Sequence, residues 1–556
     1  MRGKMENKID KKKLLMPIFI TIIYFGILFL IYDFTYSEED AWFSASFSGK
    51  YSGTPDAHAL WMRYIIGTII GFFYKINTGL NWYAIIMWTI IIVSFYLIVK
   101  RIFELNTDIS YSLLGSAAFV TICTANFISG YIELNHSFVA ASVGIVAVFY
   151  ITTMQAADNV LTRTNMICII SCLILCSQVR YEVGWIALLV CGGITVFLLI
   201  KYRKKYMRYL FTMWIAIGAL YLVTLGIEKI AYSSEEQRAR LEYDDDRRTV
   251  HDYYGYPEYN EAKEIYDKYG IDEAESKLLE NGFYILADTG TMHKLFRDLA
   301  EFDIDKNQID SVGKLKVKVL DTAISLFEYW TRSEYAFNNL IILIMSILLT
   351  VCYETKNKRV EALYLFAMLL TNCAMWFLLI WRGRINAHAV IPVQSIFLIY
   401  LLGMLLNYIK ECGVKNIKKH LVVSKCVLYL VMAYIVGYYG FDNWNFSKQQ
   451  GSVAEFAEKV LDYANQSKDS IYYTSTYNTS RKVSMWDTTN SSQMLWNVHD
   501  LEHPTIKKLL EEDCYYMVEK NENDMVNLIE QALDAKGHVV DSIVDGSYCV
   551  EVYKFE

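Results

Sequence analysis

The chain has 556 residues, of which 54% are hydrophobic and 15% aromatic, with only 5 prolines. The apolar residues arrive in blocks of roughly 16 to 22, the length that crosses a bilayer, which excludes both a soluble globular protein and a disordered chain. A net charge of −7, from 53 Lys and Arg against 60 Asp and Glu, offers no basic surface for nucleic acid, and the basic residues stand in short clusters beside the apolar blocks, where membrane topology sets them.

Residues 1–13 carry Arg2, Lys4, Lys8 and Lys11 to Lys13 ahead of an apolar run over 14–32. That run can rise through about 30 Å of hydrocarbon. Asp33-Phe34-Thr35-Tyr36 after it offers no small-residue cleavage site, so it reads as a retained first helix with a cytoplasmic N-terminus. An acidic cluster follows, Glu38-Glu39-Asp40, then a Gly- and Pro-containing loop over 49–55, then His58. Arg63, Gly67 and Gly71 interrupt the next apolar segment, 59–76, and Lys75 closes it, which predicts an interfacial or re-entrant helix instead of a span. Residues 81–99 form the second span and bring Lys100 and Arg101 to the cytoplasmic side.

The later apolar blocks, over 110–130, 138–153, 165–179, 184–200, 209–227, 338–353, 363–381, 389–407 and 421–440, alternate so that nearly all short basic loops fall on one side. The fold class expected is an α-helical polytopic membrane protein of about eleven transmembrane helices with a small extracytoplasmic α/β domain. Residues 1–13 are then cytoplasmic and 14–440 transmembrane, with a first outer loop over 33–80 and a large one over 228–336; residues 441–556 form the outer domain. The large loop is too polar for membrane and too aromatic for disorder. In the tail, helix-like stretches over 453–464 and 524–535 alternate with strand-like ones over 470–474, 514–518 and 548–555.

Most of the 11 cysteines lie in or near spans. Cys514 and Cys549 stand in two strand-like outer segments, which leaves one bridge open. There is no CxxC, HExxH or P-loop, and no metal-site spacing of Cys and His. The chemistry-bearing residues are polar side chains at helix ends on one face: Glu39, Asp40, His58, Arg63, Glu133, His136, Arg180, Glu182, Arg382, Arg384 and His388. Several ionisable groups converging at membrane depth point to a cavity. Arg180 and Glu182 read either as a structural pair or as part of a site, and Arg382 and Arg384, either side of Gly383, as anchors or as two-point phosphate contacts. The run Asp244 to Asp246 beside Arg247 and Arg248 reads as a solvated helix end.

Taken together, an inward N-terminus, one span, an outer loop with adjacent acidic residues, a His-containing segment leading to an interfacial helix, the Asn81-Trp82-Tyr83 entry into the second span and an outer C-terminal domain resemble the GT-C superfamily of polyprenol-dependent glycosyltransferases. Glu39-Asp40, residues 49–55, Asn81-Trp82-Tyr83 and the stretch from His251-Asp252-Tyr253 to Tyr259 are similar to a Gram-positive bacterial branch of it. Glu-Asp stands where Asp-Asp or Asp-Glu is common, so which carboxylate acts stays open. The resemblance implies a multi-pass cell-membrane enzyme that moves a sugar from a polyprenyl-(di)phosphate donor to a cell-surface glycan, lipid or protein acceptor on the outer face. It implies Asp40 as base, or as ligand of a divalent cation such as Mg or Mn, with Glu39 supporting. Arg180, Glu182, Arg382, Arg384, His58 and Arg63 would then bind substrate. A polysaccharide polymerase and a lipid-linked-glycan flippase are the alternatives; a flippase should carry charges near the bilayer midplane and show repeated halves.

Overall fold

The computed structural model describes residues 2–50, 54–105, 108–156, 162–202, 204–284, 286–309, 312–332, 334–352, 358–412, 421–466, 470–474, 494–496, 505–520 and 522–556. The basic side chains expected to mark the cytoplasmic side at 2–13, 203–205, 356–358 and 415–419 lie outside what is described, as do residues 51–53 of the first loop and the side chain of Glu38.

The first half of the chain is a helix bundle: α1 (Arg2–Ile31), β1 (Thr35–Tyr36), α2 (Glu38–Ser48), α3 (Tyr64–Ile76), α4 (Trp82–Leu105), α5 (Ile109–Asn126), α6 (Ile128–Ile132), β2 (Glu133–Leu134), α7 (His136–Thr152), α8 (Arg163–Val179), α9 (Tyr181–Tyr202) and α10 (Lys204–Ala231). An extramembrane set follows, α11 (Glu235–Arg248), α12 (Lys263–Lys268), α13 (Glu273–Glu280) and α14 (Thr289–Lys306). The chain then re-enters the bundle through α15 (Val312–Arg332), α16 (Ala336–Cys352), α17 (Lys358–Trp381), α18 (Ala387–Cys412) and α19 (Leu421–Gln466). The remainder is β3 (Ile471–Thr474), β4 (Met494–Trp496), β5 (Cys514–Glu519), α20 (Asn523–Leu533), β6 (Gly537–Asp545) and β7 (Tyr548–Phe555).

Among the described residues 6 helices are long and apolar enough to cross a membrane: Trp82–Leu105, Ile109–Asn126, Tyr181–Lys201, Met207–Ala231, Arg359–Trp381 and Ala387–Lys410. Shorter apolar helices cover Leu15–Ile31, Tyr64–Ile76, His136–Thr152 and Arg163–Val179. At 13 residues α3 rises only about 20 Å, too little to span.

α7 is the axis of the bundle, with every one of its 17 residues buried. A helix apolar on all sides belongs in an interior, and in lipid it is held by close packing of small residues more than by water exclusion. Ala140, Ala141 and Gly144 supply that closeness: a β-carbon on Gly144 would stand 3.3 Å from both the Ala187 β-carbon and the Cys176 sulfur. The unpaired carbonyls at its C-terminal end are satisfied by other helices, Thr152 by the Asn407 amide at 2.9 Å and Thr153 by the buried Arg101 at 3.2 Å. With that end anchored, α7 presents its first residue, His136, at the opposite end of the bundle.

The two soluble parts expected separately share one core. β4, β3 and β5 run parallel, β7 is antiparallel to β5, and β6 closes the edge as a hairpin with β7, in the order β4-β3-β5-β7-β6. Alternation sorts the side chains: Tyr472, Met517, Val550 and Val552 pack on Phe456, Val460 and Leu461 of α19. Tyr473, Tyr516, Val518 and Phe555 face the other way, onto Phe283, Leu278, Phe296 and the rest of the 228–336 segment. The boundary expected at residue 440 is no break in the backbone, because α19 runs its 46 residues from the bundle into the domain. No Cys514–Cys549 bridge forms: both thiols are free, and the register that pairs Tyr516 with Tyr553 puts the two cysteines at opposite ends of the strand pair.

Candidate active site

Asp40 organises the end of the bundle that carries the extramembrane domain. Ser37 caps α2, accepting from the Asp40 amide at 3.4 Å and donating its hydroxyl to Asp40 Oδ2 at 2.7 Å. A two-residue parallel ladder, Thr35 with Glu133 and Tyr36 with Leu134, lays this turn beside the start of α7. There the His136 amide donates to Asp40 Oδ2 at 3.1 Å and His136 Nδ1 at 2.9 Å, while the Tyr83 hydroxyl donates to Oδ1. Gly49 ends α2 with φ +75°, and a β-carbon there would lie 2.5 Å from the Pro55 nitrogen, so glycine is required for the return of the loop.

Asp40 is therefore wholly buried, with both oxygens engaged by protein donors. A cation could use it only by displacing one of them, and among the described residues no group of three His, Cys, Asp or Glu is arranged to hold a metal ion. Its neighbour in sequence, Glu39, is the accessible carboxylate at 31% exposed, with Oε2 3.7 Å from His136 Nε2 and 4.0 Å from Arg180. His136 Nε2 lies 2.7 Å from the Arg180 guanidinium. Arginine can only donate, so Nε2 accepts and the ring proton sits on Nδ1, toward Asp40. Arg180, capping α8, also pairs with Glu182 at 2.9 Å.

His388, in the first turn of α18, lies within reach of the charges of Glu39, Arg180 and Arg384. Arg384 is held by Asp252 at 2.8 Å and stacks on the Tyr253 ring, 4.7 Å from its centroid. Burial opposes the Arg384 charge, but Asp252 and Tyr253 together outweigh it and raise the guanidinium above its ordinary value. Arg382 is exposed. The run at 244–248 is no solvated helix end: Asp244 and Arg247 are buried and paired at 3.0 Å, and Arg248 joins Asp244 at 3.3 Å and the Tyr181 hydroxyl. A π-turn over Thr249–Tyr254 continues α11 and carries Asp252 and Tyr253 to Arg384.

Arg63 and His58 stand to one side. Arg63 stacks on Tyr181 at 5.1 Å and lies 3.7 Å from Glu228, in the wall of a cleft of about 530 Å³ lined also by Trp61, Met62, Leu225, Lys229 and Tyr232. His58 is tied between Asp56 at 2.6 Å and the Ala231 carbonyl at 3.2 Å, closing the C-terminal end of α10. Burial pulls the Asp56 carboxyl upward, but hydrogen bonds from His58 and the Arg240 charge outweigh it and hold the group below the ordinary range. Glu133 sits on the β2 ladder.

The structure thus gathers Glu39, Asp40, His136, Arg180, Glu182, His388 and Arg384, and leaves His58 and Arg63 beside the cleft. Ser37, Tyr83, Arg248 and Asp252 were not singled out as site residues. Ser37 three residues before Asp40 is an N-cap signature, and Tyr83 stands in the Asn81-Trp82-Tyr83 entry. Asp252 stands in the His251-Asp252-Tyr253 stretch but lies 132 residues from Arg384, and Arg248 pairs within its own helix with Asp244 and Asp245, so neither role follows from sequence spacing.

Comparison with protein-family models finds no match, and comparison with curated proteins finds none either. Among solved structures the chain is similar to ArnT from Cupriavidus metallidurans bound to undecaprenyl phosphate, with 10% identity and a TM-score of 0.42 over 97% of this chain and 98% of that one. It is similar also to the same protein in the apo state, with 11% identity and a TM-score of 0.42 over 97% of each chain.

Proposed function

We propose that this protein is a membrane glycosyltransferase that moves a sugar from a polyprenyl phosphate or diphosphate to a hydroxyl of a surface glycan, lipid or protein, on the side of the extramembrane domain. The observation that carries the reading is Glu39, a solvent-reachable carboxylate beside His136 and Arg180 at the mouth of a membrane-length helix bundle. Glu39 takes the acceptor hydroxyl proton as the new bond to the anomeric carbon forms. The bond from that carbon to the carrier phosphate breaks, and its electron pair leaves with the phosphate. Arg384, with Arg382 beside it and Arg180 across the site, neutralises the departing anion.

Asp40 is then a positioning residue in place of the base, because four donors and complete burial leave it no path to an acceptor. It holds His136 in the tautomer that receives Arg180, which in turn sets the distance to Glu39. A transporter would place charge near the bilayer midplane. The buried Lys201–Glu361 pair instead joins the last turn of α9 to the first turn of α17.

The test replaces Glu39 by Gln in the native host and compares surface glycans with wild type and a deletion strain by mass spectrometry, after blotting for membrane protein. Loss of the sugar that the deletion also loses supports the assignment. Wild-type glycans from the Glu39→Gln strain, with the deletion altered, remove Glu39 as base.

A further inference from the structure

We propose that α15 is a membrane-surface helix, lying in the headgroup layer on the side of the extramembrane domain and seating lipid acyl chains along one face. Its 21 residues contain one buried residue, Thr322, although it belongs to a segment whose polarity argued against membrane contact. Projected at 3.6 residues per turn, the helix has three faces. Thr322, Leu326 and Trp330 face the protein, the latter two packing against the cluster of Tyr335, Trp376 and Val390. Lys314, Lys318, Asp321, Ser325, Glu328 and Arg332 form a polar face. Between these lie Val317, Leu320, Ile324 and Phe327, each 51 to 64% exposed.

What covers that third face follows from its continuity with a lipid-facing surface. α15 meets α16 at a bend of 89°. α16 is apolar, and Leu340, Ile344, Ile347, Leu348 and Val351 on it are likewise exposed, as a helix in hydrocarbon requires. α16 packs against the span-length helices α17 and α18, so a helix turned by about a right angle from it runs along the bilayer surface. Its depth is fixed by α17: Lys318 sits over the ring of Trp381, the last residue of that span, at 4.8 Å. The apolar stripe thus falls at the acyl boundary, with lysines and Arg332 at headgroup level, the pattern of an interfacial helix. A groove of about 330 Å³ on this helix is lined by Ala323, Ile324 and Phe327 together with Glu328 and Arg332, apolar and charged side chains side by side.

The test places p-benzoylphenylalanine singly at Leu320, Ile324 or Phe327, and at Asp321, Ser325 or Glu328, in the full chain reconstituted in nanodiscs of phosphatidylethanolamine and phosphatidylglycerol. Photolysis and intact-mass analysis should show lipid adducts at the first three positions at about fivefold or more over the second three. Equal adduct formation on the two faces, or cross-links from the first three to a second copy of the chain, overturns the proposal. Hydroxyl-radical footprinting of the unsubstituted protein in the same nanodiscs reads the face without substitution: Leu320 and Phe327 should be protected and exposed Tyr253 modified, and oxidation of Phe327 at the Tyr253 rate also overturns it.

Discussion

Asp40→Asn and Glu39→Gln should separate cleanly into a stability defect and an activity defect. In Asp40→Asn the amide oxygen can take over the role of Oδ2 toward Ser37 and His136, and the amide NH₂ can donate to the Tyr83 hydroxyl, which rotates to accept. The hydrogen-bond count survives and the charge is lost. Charge-assisted bonds exceed neutral ones by about 1 kcal/mol each. With compensation in the buried cluster, we expect a loss of about 1–3 kcal/mol, read as a lower thermal midpoint in nanodiscs. Asp40→Ala strands the His136 amide, the His136 ring N–H and the Tyr83 and Ser37 hydroxyls, and at about 1–3 kcal/mol per orphan it should fail to accumulate. Glu39→Gln sits at a solvent-facing position and should unfold within about 0.5 kcal/mol of wild type while transfer falls by about 10²-fold or more. Asp40→Asn as stable as wild type but inactive, alongside an active Glu39→Gln, would refute this division and restore Asp40 as the base.

Three further outcomes follow. Arg384→Ala should lower transfer about 10²-fold and Arg384→Lys less, because lysine keeps the charge but not the two-point fork; Asp252→Asn, which leaves the guanidinium in place, should keep most activity, all read as glycan yield. Phe283→Ala should cost the extramembrane domain about 3–5 kcal/mol, since the ring is buried and meets Tyr516 of the sheet edge-on at 6.2 Å; limited proteolysis should then cut both the 228–336 segment and the C-terminal strands, and cutting confined to one would argue against a shared core. Burial pushes the Asp303 carboxyl from 3.8 up to about 6, with Lys306 pulling down and Glu261 up. The folded state therefore binds this proton more tightly, so the group's contribution falls as pH rises from about 4 through 6, and Asp303→Asn should flatten that part of the domain's stability curve.

Much of the bundle was legible because a span must be apolar over its whole length, so α4, α9, α10, α17 and α18 stand out as uninterrupted blocks. The early carboxylates were legible for a related reason, as charges set at the end of such a block. Their division of labour was not. Glu39 and Asp40 are adjacent and chemically alike, and only Ser37, Tyr83 and His136 closing around one of them decides which is sealed. α15 was hidden by Lys314, Lys316 and Lys318, which lower the mean hydropathy of a helix whose apolar residues lie on two separate faces. The 244–248 run misled for the opposite reason: five consecutive charges look solvated, yet Asp244 and Arg247 cancel each other and can be buried together. β6 was missed because most of its residues are exposed, so it lacks the inward alternation that marks β3, β5 and β7.

The unbroken course of α19 makes the extramembrane domain a phase-locked attachment. Ser447 and Lys448 fix the helix to Asp33 beside the site, and Phe456 to Ala464 carry the sheet. Between those two fastenings the helix works as a key cut at 100° per residue. A one-residue insertion there would turn the sheet by more than a quarter of a circle, and with it the helices whose shared core ends in the turn that brings Asp252 to Arg384. The spacing of that one helix thus indexes the domain to the chemistry below it.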